Sequence, residues 1–346
     1  MDKRLQDLKS ICSSTNLPES SEAFGKVKLA HGYLIALVGT AIWSSTAIFI
    51  GYLTTRFRMP PLALAFWRDL IVAGALLGVI GLVARPLLRL GRLNVPFFVL
   101  YGFVLAMFNA LWIVSVTLNG AAVATVLIYI SPVFTALAGY RWWGERLDAP
   151  KISAMVLSIV GCAFVSGAYD RAVWQVNPAG ILVGLATGVA FAAYSLLGKG
   201  SSRRGVNPWT ATLYSFAFGA AFLLLVQRPD TIFWLSRPLA TGPGEWRGAA
   251  LGWGMLVLLA VGPTLCGYGL YTVSLTYLPA ATANLITTLE PALTAVLAYV
   301  FLGERLTIPQ LLGGSLILAG VVIMRLSERA VNATCVPPQS SHPQSP

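Results

Sequence analysis

Long apolar runs separated by short polar punctuation occupy almost the whole chain. Ten runs can be drawn, at about 31–53, 62–84, 96–118, 121–141, 151–169, 179–199, 208–227, 249–273, 280–302 and 308–326. Each is close to the ~20 apolar residues a helix needs to cross a ~30 Å hydrocarbon layer. The expected fold class is therefore all-α integral membrane, with ten transmembrane helices. Polar sequence is confined to the two tails, 1–30 and 327–346, and to a connection at roughly 228–248.

Composition agrees with the pattern. The 346 residues are 56% hydrophobic and 11% charged, against about 25% charged in soluble domains. The N-terminal stretch lacks the apolar core and cleavage site of a secretory signal. The C-terminal "PPQSSHPQSP" has a composition that favours disorder. A net charge of +11 would suit nucleic acid if it formed a patch, but it does not. With the N-terminus inside, Lys and Arg gather in the tails and the loops near Arg85, Arg141, Lys151 and Arg203, and fewer fall in the loops holding Arg56, Arg171 and Arg228. The positive-inside rule then puts both termini in the cytoplasm, and the expected location is the plasma membrane. No nucleic-acid partner, metal or cofactor is expected. Cys162 and Cys266 lie inside runs, and the only histidines are His31 and His342, so no metal-ligand spacing and no buried His/carboxylate cluster supports an enzyme.

The chain repeats itself. An offset of 159 lays Ser115–Gly167 on Ser274–Leu326 without a gap, pairing Pro132 with Pro291, Gly144-Glu145-Arg146-Leu147 with Gly303-Glu304-Arg305-Leu306, and Gly161 with Gly320. The earlier helices align more loosely, "GYLIALVGTAIWSS" opposite "GILVGLATGVAFAA". Five helices per copy is an odd number, so successive copies should enter the bilayer with opposite orientation. That inverted plan is common in secondary transporters, with the substrate site near the midplane. The expected division is a tail 1–30, a first repeat 31–170, a second repeat 171–326 and a disordered tail 327–346.

At these residues the sequence resembles the EamA-type carriers of the drug/metabolite transporter superfamily. The resemblance is carried by "NGAAVATVL" and "PAATANLI", the prolines Pro132 and Pro291, the twin "GERL" turns and "PPLALAFWRDLIVAG". It covers roughly 31–326 and implies two bundled five-helix repeats, both termini inside, and movement of small metabolites, often outward. It also implies a cavity lined by helices 1, 3, 4, 6, 8 and 9. It names no substrate.

Glu290 is the most informative single residue, the one charge between Ala280 and Leu302. Ten helical residues place it about 15 Å deep, where a carboxylate costs on the order of 3 kcal/mol. It should face a cavity or a partner, as a proton-coupling group, a ligand for a cationic substrate group, or a neutral packing lock. Its counterpart in the first repeat is Ser131. Pro132 and Pro291 each remove a helical hydrogen bond and predict kinks, either gating hinges or static bends. Arg68 and Asp69 are adjacent and about 100° apart on a helix, so they should not face one partner. Arg68 is expected to pair across the bundle, as structure or as a gate. Trp43, Asn109, Trp112, Tyr129, Tyr194, Tyr268, Tyr271 and Asn284 sit at cavity depth, as substrate surface or as ordinary packing. Asn109 with Trp112, and Tyr268 with Tyr271, share helix faces.

The function expected is secondary transport of a small organic solute (an amino acid, a nucleobase or a drug-like metabolite) by alternating access, with export favoured. The partners are that solute, the lipid bilayer and, as a candidate, protons, for a monomer or weak homodimer. The alternatives are a phosphate-sugar-type antiporter of the same superfamily and a non-transporting structural or receptor-like membrane protein.

Overall fold

The computed structural model describes residues 19–91, 94–144, 147–170, 178–227, 245–302, 305 and 307–334. Glu145, Arg146, Glu304, both extreme tails and most of the 228–248 connection lie outside them.

Apolar sequence becomes helix throughout, as it must where a lipid interior leaves backbone groups no water to bond. The helices are α1 (Glu19–Ser44), α2 (Thr46–Arg56), α3 (Pro61–Val83), α4 (Val95–Ile128), α5 (Ser131–Trp143), α6 (Ala149–Ser166), α7 (Pro178–Arg203), α8 (Pro208–Val226), α9 (Glu245–Leu259), α10 (Leu265–Tyr277), α11 (Ala280–Thr287), α12 (Glu290–Leu302) and α13 (Ile308–Thr334). No strand occurs among the described residues. Proline opens α3, α7 and α8, where its missing N–H costs nothing. Gly144 closes α5 with φ +65°, the left-handed cap that its place in the first "GERL" turn anticipates.

Nine stretches among the described residues are long and apolar enough to cross a membrane, so the chain is a multi-pass membrane protein. The tenth expected span, 280–302, is carried by two pieces, α11 and α12, and is not among the nine. Helix extends past the first and last apolar runs: α1 begins at Glu19 and α13 runs on to Thr334. The reversal expected near 118–121 falls between the crossing stretches Val95–Val116 and Val123–Trp142, both within the bounds of α4 and α5. Tyr101 and Phe108 of α4 meet Tyr194 and Phe191, and Asn119 donates to the Gly180 carbonyl, so α4 first runs antiparallel to α7. Leu127 then lies against Gly184 and Gly188, which means the chain has turned back on itself.

The two copies meet at small residues. A Cβ on Gly161 of α6 would come within 2.6 Å of the Gly313 carbonyl of α13, and one on Gly320 within 2.7 Å of the Ala154 carbonyl. The order reverses along the two helices, so they cross antiparallel. Under the 159 offset Ala154 answers to Gly313 and Gly161 to Gly320, so one contact is the other's counterpart. Backbone approach this close is the ordinary adhesive of helices in lipid, where no hydrophobic force pulls them together.

Candidate functional site

Two helix breaks organise the centre. α4 ends at Ile128 and α5 restarts at Ser131; α11 ends at Thr287 and α12 restarts at Glu290. The intervening pairs, Tyr129–Ile130 and Thr288–Leu289, are equivalent under the 159 offset. Pro132 and Pro291 were expected to kink their helices. Each is the second residue of the segment that follows a two-residue turn, and backbone bonds step through that turn, from Ile130 N to Leu127 O and from Leu289 N to Ile286 O. The regular α-pattern is thus interrupted just before each proline, while backbone bonding continues. Carbonyls near the breaks find other company. Thr288 O accepts a 3.6 Å contact from the Cys162 thiol, while Leu127 O accepts from Ile130 N and, with Ile128 O, lies against Gly188 of α7.

The half-helix starts are chemically unlike. Ser131 is fully buried, and its hydroxyl donates to Asn284 Oδ1 at 3.4 Å. Asn284 is also fully buried, and its Nδ2 has no hydrogen-bond partner. Glu290 is half-buried and accepts a 2.7 Å hydrogen bond on Oε2 from the Tyr129 hydroxyl. The one ion pair among the described residues lies elsewhere, so no cation of the described chain neutralises this carboxylate.

That ion pair is Arg68–Asp69 on α3. Arg68 Nε and Nη2 both donate to Asp69 Oδ1 at 3.1 Å, Nη2 also donates to Asn109 Oδ1 at 3.0 Å, and Asn109 Nδ2 donates to Asp69 Oδ2 at 2.9 Å. All three side chains are buried. One expectation is corrected here. The adjacent charges do face one partner, Asn109, because the long arginine stem folds back across the 100° that separates neighbouring Cβ directions. Asn109, singled out at cavity depth, takes part in this triangle through one amide N–H and its carbonyl oxygen.

Aromatic rings fill the space between these groups. The Trp43 ring centre is 4.3 Å from that of Tyr268 and 6.0 Å from that of Tyr271, which bears out the shared face of the two tyrosines. Phe191 stacks on Tyr271, and Phe216 meets Tyr268 edge-on. Such pairs contribute about 0.5–1.5 kcal/mol each beyond their burial. Tyr268 lies within electrostatic reach of Arg68, Asp69 and Glu290 alike, so the triangle, the rings and the carboxylate form one neighbourhood. The Tyr271 hydroxyl donates to Ser195 at 2.7 Å. Tyr194 is buried against Tyr101 and Tyr268. Trp112 is half-buried against the main apolar core. Phe191, Ser195 and Phe216 were not singled out from sequence; Phe191 had a signal, because the looser alignment sets it opposite Trp43.

Comparison with known proteins places this architecture. The EamA-like transporter family matches twice, over residues 30–167 and 178–326. The chain belongs to the EamA-like transporter family. Its similarity extends to "Uncharacterized transporter YwfM" of Bacillus subtilis (strain 168), 26% identical over 86% of this chain and 94% of that protein. It is also similar to "Threonine/homoserine exporter RhtA" of Escherichia coli (strain K12), 29% identical over 66% of this chain and 70% of that protein. A solved crystal structure superposes with a TM-score of 0.70 at 19% identity, covering 87% of this chain and 99% of that one, a likeness of fold. An EamA-like transporter needs a small-molecule substrate and a bilayer, and it is not an enzyme.

Proposed function

We propose that the protein is a secondary transporter of the plasma membrane that exports a small organic solute, with amino acids the foremost class, by alternating access. In this scheme both termini are cytoplasmic, and the two five-helix repeats are inverted copies that rock about the centre. The reading rests on one observation above the others, the pair of equivalent helix breaks with an unneutralised carboxylate, Glu290, at the start of one half-helix. Interrupted helices that meet at mid-depth are how many transporters expose backbone and charge to a solute without exposing them to lipid. The antiparallel Gly161–Gly313 and Ala154–Gly320 contacts support inversion. The name of the Escherichia coli relative, a threonine/homoserine exporter, supports amino-acid cargo and outward movement. A phosphate-sugar antiporter would want uncommitted buried cations, whereas Arg68 is already committed to Asp69 and Asn109.

In this scheme Glu290 is the coupling or cation-binding group. Trp43, Tyr268 and Tyr271 supply an aromatic wall, Ser131 and Asn284 supply polar contacts, and the breaks before Pro132 and Pro291 supply the gating hinges. The test is flux of radiolabelled amino acids and nucleobases in proteoliposomes, with and without a pH gradient. Saturable flux of at least one amino acid is expected, and flux no faster than in protein-free vesicles for the whole panel would reject transport.

A further inference from the structure

A surplus of positive charge gathers at one corner of the bundle, away from the centre. The α3–α4 connection opens with a short 3₁₀ turn, Arg85–Leu88, and continues into Arg89. The α7–α8 connection holds Arg204, directly after Arg203 at the end of α7. Two hydrogen bonds fasten the first connection to α8. Thr210 Oγ1 donates to Leu87 O at 2.9 Å, and the Tyr214 hydroxyl donates to Leu88 O at 2.6 Å. The Arg204 guanidinium lies 4.0 Å from the centre of the Phe97 ring, near the start of α4. Phe97 meets Phe98 edge-on, and Phe98 in turn lies against Tyr214. Both connections therefore border one surface, and Arg85, Arg89, Arg203 and Arg204 are exposed on it. The sequence has no acidic residue between Asp69 and Glu145, nor between Asp170 and Asp230, so neither connection carries a charge to offset them.

The corner also lies where apolar spans end. The stretches Pro61–Val83 and Pro178–Arg203 both finish here, so Arg85 and Arg204 stand within two residues of the apolar layer. Leu82 and Val83 are 84% and 82% exposed, and Val95 and Leu100 are exposed at the start of α4. Arg85 Nε donates to Gly81 O at 2.9 Å, a bond that uses one of the five N–H donors of a guanidinium. We propose that this corner is a docking surface for the headgroups of anionic phospholipids. Its arginines meet the phosphates, and Leu82, Val83, Val95 and Leu100 lie along the acyl chains. The planar fork of arginine matches phosphate geometry, and basic residues just beyond a span attract anionic lipid. A soluble anion would use the arginines alone, whereas the exposed apolar residues carry the surface on into the bilayer. The proposal is independent of the transport reading and of the side of the membrane on which the corner lies.

The test is retention of phosphatidylglycerol against phosphatidylcholine of the same acyl chains by the purified full chain, read by native mass spectrometry. Melting in nanodiscs of each composition is the second readout. The parent should retain phosphatidylglycerol in preference and melt higher in its presence. Each arginine near an anionic surface strengthens binding by a factor of ~5. The combined change Arg85→Gln, Arg89→Gln and Arg204→Gln should therefore weaken retention roughly 100-fold. Arg89→Gln alone, at an exposed position, should weaken it ~5-fold and decides the matter if the triple variant does not fold. Removing three exposed arginines elsewhere, by Arg56→Gln, Arg58→Gln and Arg141→Gln, should leave the preference unchanged. No preference for phosphatidylglycerol in the parent, or equal losses in the two triple variants, would overturn the surface. Equal protection by free glycerol phosphate would also overturn it, because the corner would then hold an anion without a lipid.

Discussion

Each repeat carries a charged group at the centre, and the two are handled in opposite ways. In the first, Arg68 and Asp69 close on each other and on Asn109, so charge is cancelled within the fold and both ions are buried. In the second, Glu290 stands at the head of α12, half-buried, with a single phenol for company. At the position equivalent to Glu290 the first repeat has Ser131, buried and neutral. The fold therefore needs a helix break at both places but a carboxylate at neither. A carboxylate that its repeat counterpart does without, and that has no cation beside it among the described residues, is the group whose role the following experiments address.

The largest expected effect comes from erasing that difference. Ser131→Glu would put a carboxylate into a fully buried place against Asn284, at a cost on the order of 5 kcal/mol. Thermal unfolding in detergent should show loss of the folded species. A melting temperature equal to that of Ser131→Ala would mean that the two positions are environmentally alike. Next in size is Asp69→Asn, which strands a buried guanidinium and should cost about 3–5 kcal/mol. The double change Arg68→Met with Asp69→Leu should recover most of that loss, and no recovery would show that the triangle does more than cancel charge. Smaller still is Gly161→Ala at the α6–α13 crossing, where the new methyl meets the Gly313 carbonyl and about 1–3 kcal/mol of overpacking is expected. Gly74→Ala is the control. A Cβ there meets nothing within 4 Å, so the change should be neutral or stabilising by up to about 1 kcal/mol. Equal melting shifts for the two would remove the close crossing as a feature of the repeat interface.

The helical membrane architecture was legible from apolar run length, because lipid leaves helices as the one solution for such runs. The repeat was legible because proline, glycine and "GERL" fall at a constant offset. The breaks were not, since a proline inside an apolar run reads as a kink. Whether a helix bends or stops before it depends on partners such as Cys162 and Gly188 that come from distant helices. Arg68 and Asp69 were misjudged because Cβ directions say little about a side chain as long as arginine. Glu290 was legible as an anomaly of charge in an apolar run. Its phenolic partner Tyr129, 161 residues away, was singled out by depth alone.

The most direct measurement compares flux in proteoliposomes for Glu290→Gln and Ser131→Ala at matched protein density and with the same amino-acid substrate. The predicted result is that Glu290→Gln loses at least about 90% of the flux, equivalent to ~1.4 kcal/mol or more, while Ser131→Ala retains a substantial fraction. Flux through Glu290→Gln indistinguishable from the parent would contradict a working role for the carboxylate.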